Sequence, residues 1–100
     1  MVVLDNRLRS ILENNIDSVM NNPKKFIKIY TLILKASGIE PNLESILSVI
    51  VGYLYGLAEL WYADTYQRHI NDDEFVEVVK LMKRRAWEMR QAFISTHLET

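Results

Sequence analysis

Apolar residues recur every three or four positions along most of the chain, which is the spacing of one face of an α-helix. The pattern predicts four helices, at about residues 5–21, 24–37, 43–69 and 73–96. Asp5 and Asn42 are suitable N-cap residues for the first and third helices. Pro23 and Gly38 mark the two ends of the second helix. We therefore expect an all-α fold, an antiparallel bundle of two short and two long helices.

The apolar residues of the fourth helix are spaced alternately by four and three positions, as in a heptad repeat. They are Phe75, Val79, Met82, Ala86, Met89 and Phe93. The pattern indicates one packing seam along this helix. No strand is predicted, because the β-branched run at residues 49–51 lies within helical periodicity.

The third predicted helix is apolar on every side over residues 46–63, where Glu59 is the single charged residue. A helix of this kind is surrounded either by protein or by lipid. Its uncharged part, residues 45–58, is shorter than the roughly 20 residues of a membrane-spanning helix. Glu59 inside a membrane would also cost about 3 kcal/mol. We therefore expect the core helix of a soluble bundle and no association with a membrane.

A groove of small residues runs along one edge of this helix, because Ser48, Gly52 and Gly56 lie four positions apart. In lipid this spacing is typical of a dimerisation face. In a soluble bundle it indicates that another helix packs closely there, since glycine costs a helix about 1 kcal/mol relative to alanine.

The unequal helix lengths predict an interface. Short connections favour an up-down-up-down bundle, in which the second helix of about 14 residues covers only about 21 Å of its neighbour. The far half of the third helix and the near half of the fourth would then be uncovered. The apolar residues of that region are Leu60, Trp61, Tyr62, Tyr66, Phe75, Val76, Val78 and Val79. Exposed apolar area of this size marks a contact surface, and we expect a homodimer with twofold symmetry.

Composition changes this picture little. One hundred residues, of which 49% are hydrophobic and 25% charged, are typical of one globular domain spanning residues 1–100. Cysteine is absent, which excludes disulfides and thiolate metal sites. The first residues lack the pattern of a signal peptide, so we expect a cytoplasmic location. The net charge of -1 does not indicate nucleic acid as a partner of the whole chain.

Glu59 is the strongest catalytic candidate. It shares a helical face with Tyr55, Tyr62 and Tyr66, and a carboxylate among tyrosines would suit acid–base chemistry. The favoured interpretation is structural, with a basic residue of a neighbouring helix or the tyrosine hydroxyls meeting the charge of Glu59. The chain has no glycine-rich phosphate loop and no nucleophile motif, so we expect neither an enzyme nor a cofactor.

A metal site is not expected near His69. Three carboxylates lie close in sequence, at Asp64, Asp72 and Asp73. Asp64 and His69 are five positions apart, however, and such residues face different ways on a helix.

The fourth helix carries a cationic strip around an aromatic residue. On a helical wheel the strip falls within about a third of the circumference. Its members are Lys80, Lys83, Arg84, Trp87 and Arg90. A phosphate backbone with a stackable base would fit this arrangement. Val76 and Ile94 lie on the same side, which suits a protein contact equally well.

Three functional hypotheses follow from these patterns. The first is a non-enzymatic, homodimeric protein–protein interaction module. The second is a nucleic-acid-associated protein that uses the basic face of the last helix. The third is a small helical enzyme centred on Glu59.

Overall fold

The computed structural model describes the backbone of residues 4–98 and the side chains of residues 4–96. It contains four helices, α1 (Asn6–Asn21), α2 (Pro23–Ala36), α3 (Leu43–Tyr66) and α4 (Asp72–Leu98). The described residues form no strand. The predicted all-α fold with two short and two long helices is therefore confirmed.

Local capping explains where the helices begin. At α1, Asp5 Oδ1 accepts a hydrogen bond from the backbone N–H of Arg7 at 2.8 Å. At α3, Asn42 Oδ1 accepts from the N–H of Ser45, and the Ser45 hydroxyl accepts from the N–H of Asn42, both at 2.9 Å. Reciprocal bonds of this type satisfy two donors that a helix start otherwise leaves unpaired. Gly38 follows α2 with a φ of 75°, which glycine adopts without strain.

Helix α3 ends at Tyr66, earlier than the predicted end near residue 69. Gln67 adopts the left-handed conformation with φ 53°, and its side chain donates to the carbonyl of Asp64 at 2.8 Å. The chain then turns back along α3, because His69 Nδ1 lies 2.7 Å from Glu59 Oε1. Helix α4 consequently starts beside Glu59 rather than beyond the end of α3.

Helices α1 and α2 follow one another along α3. The start of α1 lies at the end of α3, where the Tyr66 hydroxyl donates to Asp5 Oδ2 at 3.0 Å. The last turn of α1 reaches the middle of α3, since Val19 and Leu54 line one cavity. The end of α2 reaches the start of α3, where Lys35 and Leu43 line another cavity. Both short helices therefore run antiparallel to α3.

Helix α4 is also antiparallel to α3. Near its start the Phe75 ring lies 5.3 Å from the Tyr55 ring, and near its end Arg90 pairs with Glu44. Together α1 and α2 contain 30 residues, about 45 Å of helix at 1.5 Å per residue. This matches the longest dimension of the molecule, 45 Å.

The far half of α3, expected from the helix lengths to be uncovered, is covered by α1, which continues along α3 where α2 does not reach. Tyr62 and Val78 are buried in the chain itself, and Trp61 is half-buried with the Arg7 guanidinium 5.3 Å from its ring centre. The members of the predicted uncovered region that do remain exposed are Leu60, Tyr66, Phe75, Val76 and Val79.

One continuous core runs the length of the bundle. Its buried members come mainly from α1, α3 and α4, and include Leu8, Leu12, Ile16, Ile50, Leu54, Val78, Met89 and Phe93. Arg85 of α4 reinforces the packing against α1 through contacts with Glu13 and Asp17. The predicted seam of α4 is only partly correct. Met82, Met89 and Phe93 are buried, whereas Phe75 and Val79 are exposed because Glu74 and Val78 face inward at that end.

Candidate interaction site

The outward side of α3 is lined by its small residues. Ser48, Gly52 and Gly56 are all exposed, and a Cβ atom built on either glycine would meet nothing within 4 Å. The close approach of another helix, predicted from their spacing, is therefore not made by any helix in the described part of this chain. The groove of small residues faces open space.

Large apolar side chains flank this groove on both sides. Tyr53 and Leu60, exposed by 53% and 57%, lie on one side of the helical wheel. Tyr55 lies on the other side, where its contact with Phe75 brings α4 alongside. Phe75 and Val79, one turn apart, are exposed by 46% and 37%. We call the surface formed by Ser48, Gly52, Tyr53, Gly56, Leu60, Phe75 and Val79 the open face.

The open face is unusually apolar for a surface of a folded chain. From Ser45 to Ala58 the helix carries no charge. By length and composition α3 could cross a membrane, yet only 33% of its most apolar 18-residue window is buried within the bundle. The core of the chain therefore covers one side of α3, and nothing in the described residues packs against the groove on the other side.

Glu59 is not enclosed by the three tyrosines that share its face in the sequence. Its side chain is 40% exposed and pairs with His69, a residue of the segment after α3 rather than of a neighbouring helix. Tyr62 is buried, Tyr66 bonds to Asp5, and Tyr55 packs on Phe75. Tyr62 and Tyr66 pack on each other with ring centres 5.8 Å apart, whereas Glu59 pairs with His69 and Tyr55 packs on Phe75. The described structure therefore does not assemble the four groups into one reactive site.

His69 likewise meets Glu59 rather than the nearby aspartates. Among the described residues no three histidine, aspartate or glutamate side chains lie close enough to hold a metal ion.

A polar and aromatic cluster joins the start of α1 to the end of α3. Arg7 Nη2 lies 3.2 Å from both Asp5 Oδ2 and the Tyr66 hydroxyl, which it approaches as a donor. Hydrogen bonds from Arg7 lower the pKa of Asp5 to about 2. The sequence predicted that Asp5 caps α1. It did not predict this cluster, because Asp5 and Tyr66 are 61 positions apart.

A second cluster fixes the turn between α3 and α4. Both terminal nitrogens of Arg68 donate to Glu74 at 2.8 Å, and the guanidinium lies 5.2 Å from the centre of the Tyr62 ring. Asn71 closes the start of α4, because its side chain accepts from the N–H of Glu74 at 2.8 Å. The Arg68 hydrogen bonds lower the pKa of the buried Glu74 carboxyl.

The basic strip of α4 is largely matched by acidic side chains. Lys80 lies 3.1 Å from Glu77, and Arg90 Nη2 donates to Glu44 Oε2 at 3.0 Å. Arg84 lies 3.8 Å from Glu13. Lys83 is exposed, and Trp87 is exposed by 64%. The strip therefore presents an accessible indole with less net positive charge than its sequence indicated.

A cavity of about 430 Å³ opens where α2 ends, α3 begins and α4 ends. Its inner wall includes the buried side chains of Ile46 and Phe93. This cavity was not predictable from the sequence, because its wall combines residues of three helices whose relative positions depend on how α1 and α2 are arranged.

Comparisons with models of known protein families, with curated proteins and with solved structures find no match to this chain.

Proposed function

We propose that this protein is a non-enzymatic interaction module that forms a homodimer through the open face. The observation that carries the proposal is the outward side of α3, which is uncharged from Ser45 to Ala58 and has Gly52 and Gly56 facing open space between exposed apolar side chains. Glycines in the middle of an exposed helix destabilise it by about 1 kcal/mol each relative to alanine. Close approach of a partner helix would compensate for that loss.

A second copy of the chain is the partner that fits this surface best. A groove bordered by ridges on both sides can receive the ridge of an identical surface, as a twofold contact requires. The open face extends about 18 Å along α3 from Ser48 to Leu60, at 1.5 Å per residue, and Phe75 and Val79 of α4 widen it.

Molar mass in solution tests this proposal, measured by size exclusion with light scattering at low and high salt. We expect a dimer at both salt concentrations, because apolar contacts do not weaken with ionic strength as phosphate or ion-pair contacts do. A monomer at both concentrations would contradict the proposal.

A nucleic-acid-associated function is the second candidate, supported by the exposure of Trp87 beside Lys83. A stackable indole next to a lysine suits single-stranded nucleic acid. Binding of a labelled oligonucleotide should then weaken steeply with salt and be reduced by Lys83→Glu with Trp87→Ala. Oligonucleotide binding that is unchanged in this double variant would exclude the basic strip as the binding surface.

A further inference from the structure

The cavity at the start of α3 has one apolar part and one polar part. Helix α2 supplies Ile27, Thr31 and Lys35, which are spaced by four residues and therefore line up along one side of the helix. From Ile27 to Lys35 this wall extends about 12 Å at 1.5 Å per residue. Along it the lining changes from aliphatic to hydroxyl to cationic.

The apolar part is built from the core of the bundle. Ile46 and Phe93 are buried, and Ile94 adds a half-buried side chain from the last turns of α4. A wall made of core residues is held in place by packing and keeps its shape without a ligand. An aliphatic or aromatic group placed here would be removed from water on several sides.

The polar part is rich in hydrogen-bond donors. Among the described residues of the lining, Lys35 is the one that carries a charge. Asn42 uses its Oδ1 atom to cap α3, which leaves its Nδ2 amide to donate. Leu43 begins α3, where the N–H groups of Leu43 and Glu44 lie outside the capping bonds of Asn42 and Ser45 and carry a partial positive charge. This part of the cavity therefore favours a negative group.

We propose that this cavity binds an amphipathic carboxylate, with the aliphatic chain against Phe93 and Ile46 and the carboxylate between Lys35 and Asn42. The volume of about 430 Å³, at about 30 Å³ per water-sized group, accommodates roughly 14 such groups. A straight-chain carboxylate of about ten carbons matches that size. The site is independent of the proposed dimer, because none of its lining residues belongs to the open face.

The test uses decanoate below its micelle concentration and decan-1-ol as an uncharged probe of the same length. Amide resonances of the full-length protein, recorded by NMR during titration, report both affinity and location. We expect saturable shifts at residues 42–46 and 93–94, with a dissociation constant below about 1 mM for decanoate.

Lys35→Met retains the aliphatic stem of the side chain and removes its charge. It should weaken decanoate binding about fivefold and leave decan-1-ol binding unchanged, since only the carboxylate loses a partner. Lys28→Met, an exposed lysine of the same helix outside the cavity, is the matched control and should bind both probes normally.

Thr31→Phe fills the cavity from its rim and should abolish binding of both probes, while circular dichroism confirms that the variant is folded. The proposal is overturned if 1 mM decanoate shifts none of these resonances. Equal weakening by Lys35→Met and Lys28→Met would overturn it too, as would shifts confined to the open face.

Discussion

Asp5 performs two tasks with one carboxylate. One oxygen caps α1, and the other accepts from Arg7 and from the hydroxyl of Tyr66 at the far end of α3. The capping role was predictable, because aspartate before a helical apolar pattern is a common start signal. The contact with Tyr66 was not, since it depends on which helix end lies nearby in the folded molecule.

The lowered pKa of Asp5 makes stability depend on pH in a defined window. The folded pKa is about 2, whereas an unperturbed aspartate titrates near about 3.9. Ionised Asp5 therefore stabilises the fold above about pH 4, and this contribution is lost as pH falls towards 2. The urea midpoints of the wild type and Asp5→Asn should differ most at pH 6, and the difference should fall to about a third of that value at pH 2.5. A difference at pH 2.5 as large as that at pH 6 would show that the charge of Asp5 is not the cause.

Replacing Gly52 and Gly56 by alanine should have opposite effects on the stability of the isolated chain and on that of its dimer. Since each added Cβ meets open space in the chain, Gly52→Ala with Gly56→Ala should stabilise the monomer by about 1 kcal/mol per site. The same methyl groups would hold the two helices of the dimer apart and raise its dissociation constant. The variant dimer should therefore dissociate at a lower denaturant concentration than the wild type, and it should need a higher protein concentration to form.

The measurement is urea unfolding at several protein concentrations, with Ser10→Ala as a control on the exposed side of α1. That control should raise helix stability slightly and leave the dimer unchanged. A double glycine variant that dimerises as tightly as the wild type would show that close helix approach is not part of the interface.

At the scale of the helices, much of the fold could be read from the sequence. The start of each helix lies within two residues of its predicted position, because Asp5, Pro23 and Asn42 are strong local signals. The order of α1 and α2 along α3 could not be read in the same way. The Asn22–Pro23 junction allows the second helix either to fold back or to continue, and long-range packing selects continuation.

The packing of α1 against the second half of α3 can be tested by a substitution in the core. Leu8 of α1 is fully buried, and Leu8→Ala should destabilise the fold by about 2–5 kcal/mol. Leu32 of α2, exposed by 61%, is the matched control, and Leu32→Ala should change stability by no more than about 0.5 kcal/mol. Chemical denaturation measures both. Similar small effects for the two variants would mean that α1 does not cover α3 as described.

In the molecule as a whole, the inner sides of all four helices pack on one another, and no helix of residues 4–98 covers the open face. The sequence correctly marked Leu60, Phe75 and Val79 as accessible, because their apolar character exceeds what a small core can bury. It wrongly included Tyr62 and Val78, since periodicity shows which residues share a face but not which neighbour covers it.

In the proposed dimer, the open face holds two copies of the chain together. Sedimentation equilibrium of the wild type, Leu60→Glu and Leu32→Glu tests it most directly, because the two leucines are exposed by 57% and 61% and differ chiefly in location. A buried unpaired carboxylate opposes association, whereas an exposed one does not. We expect a dimer for the wild type and Leu32→Glu and a monomer for Leu60→Glu. A monomeric wild type, or a Leu60→Glu variant that stays dimeric, would contradict it.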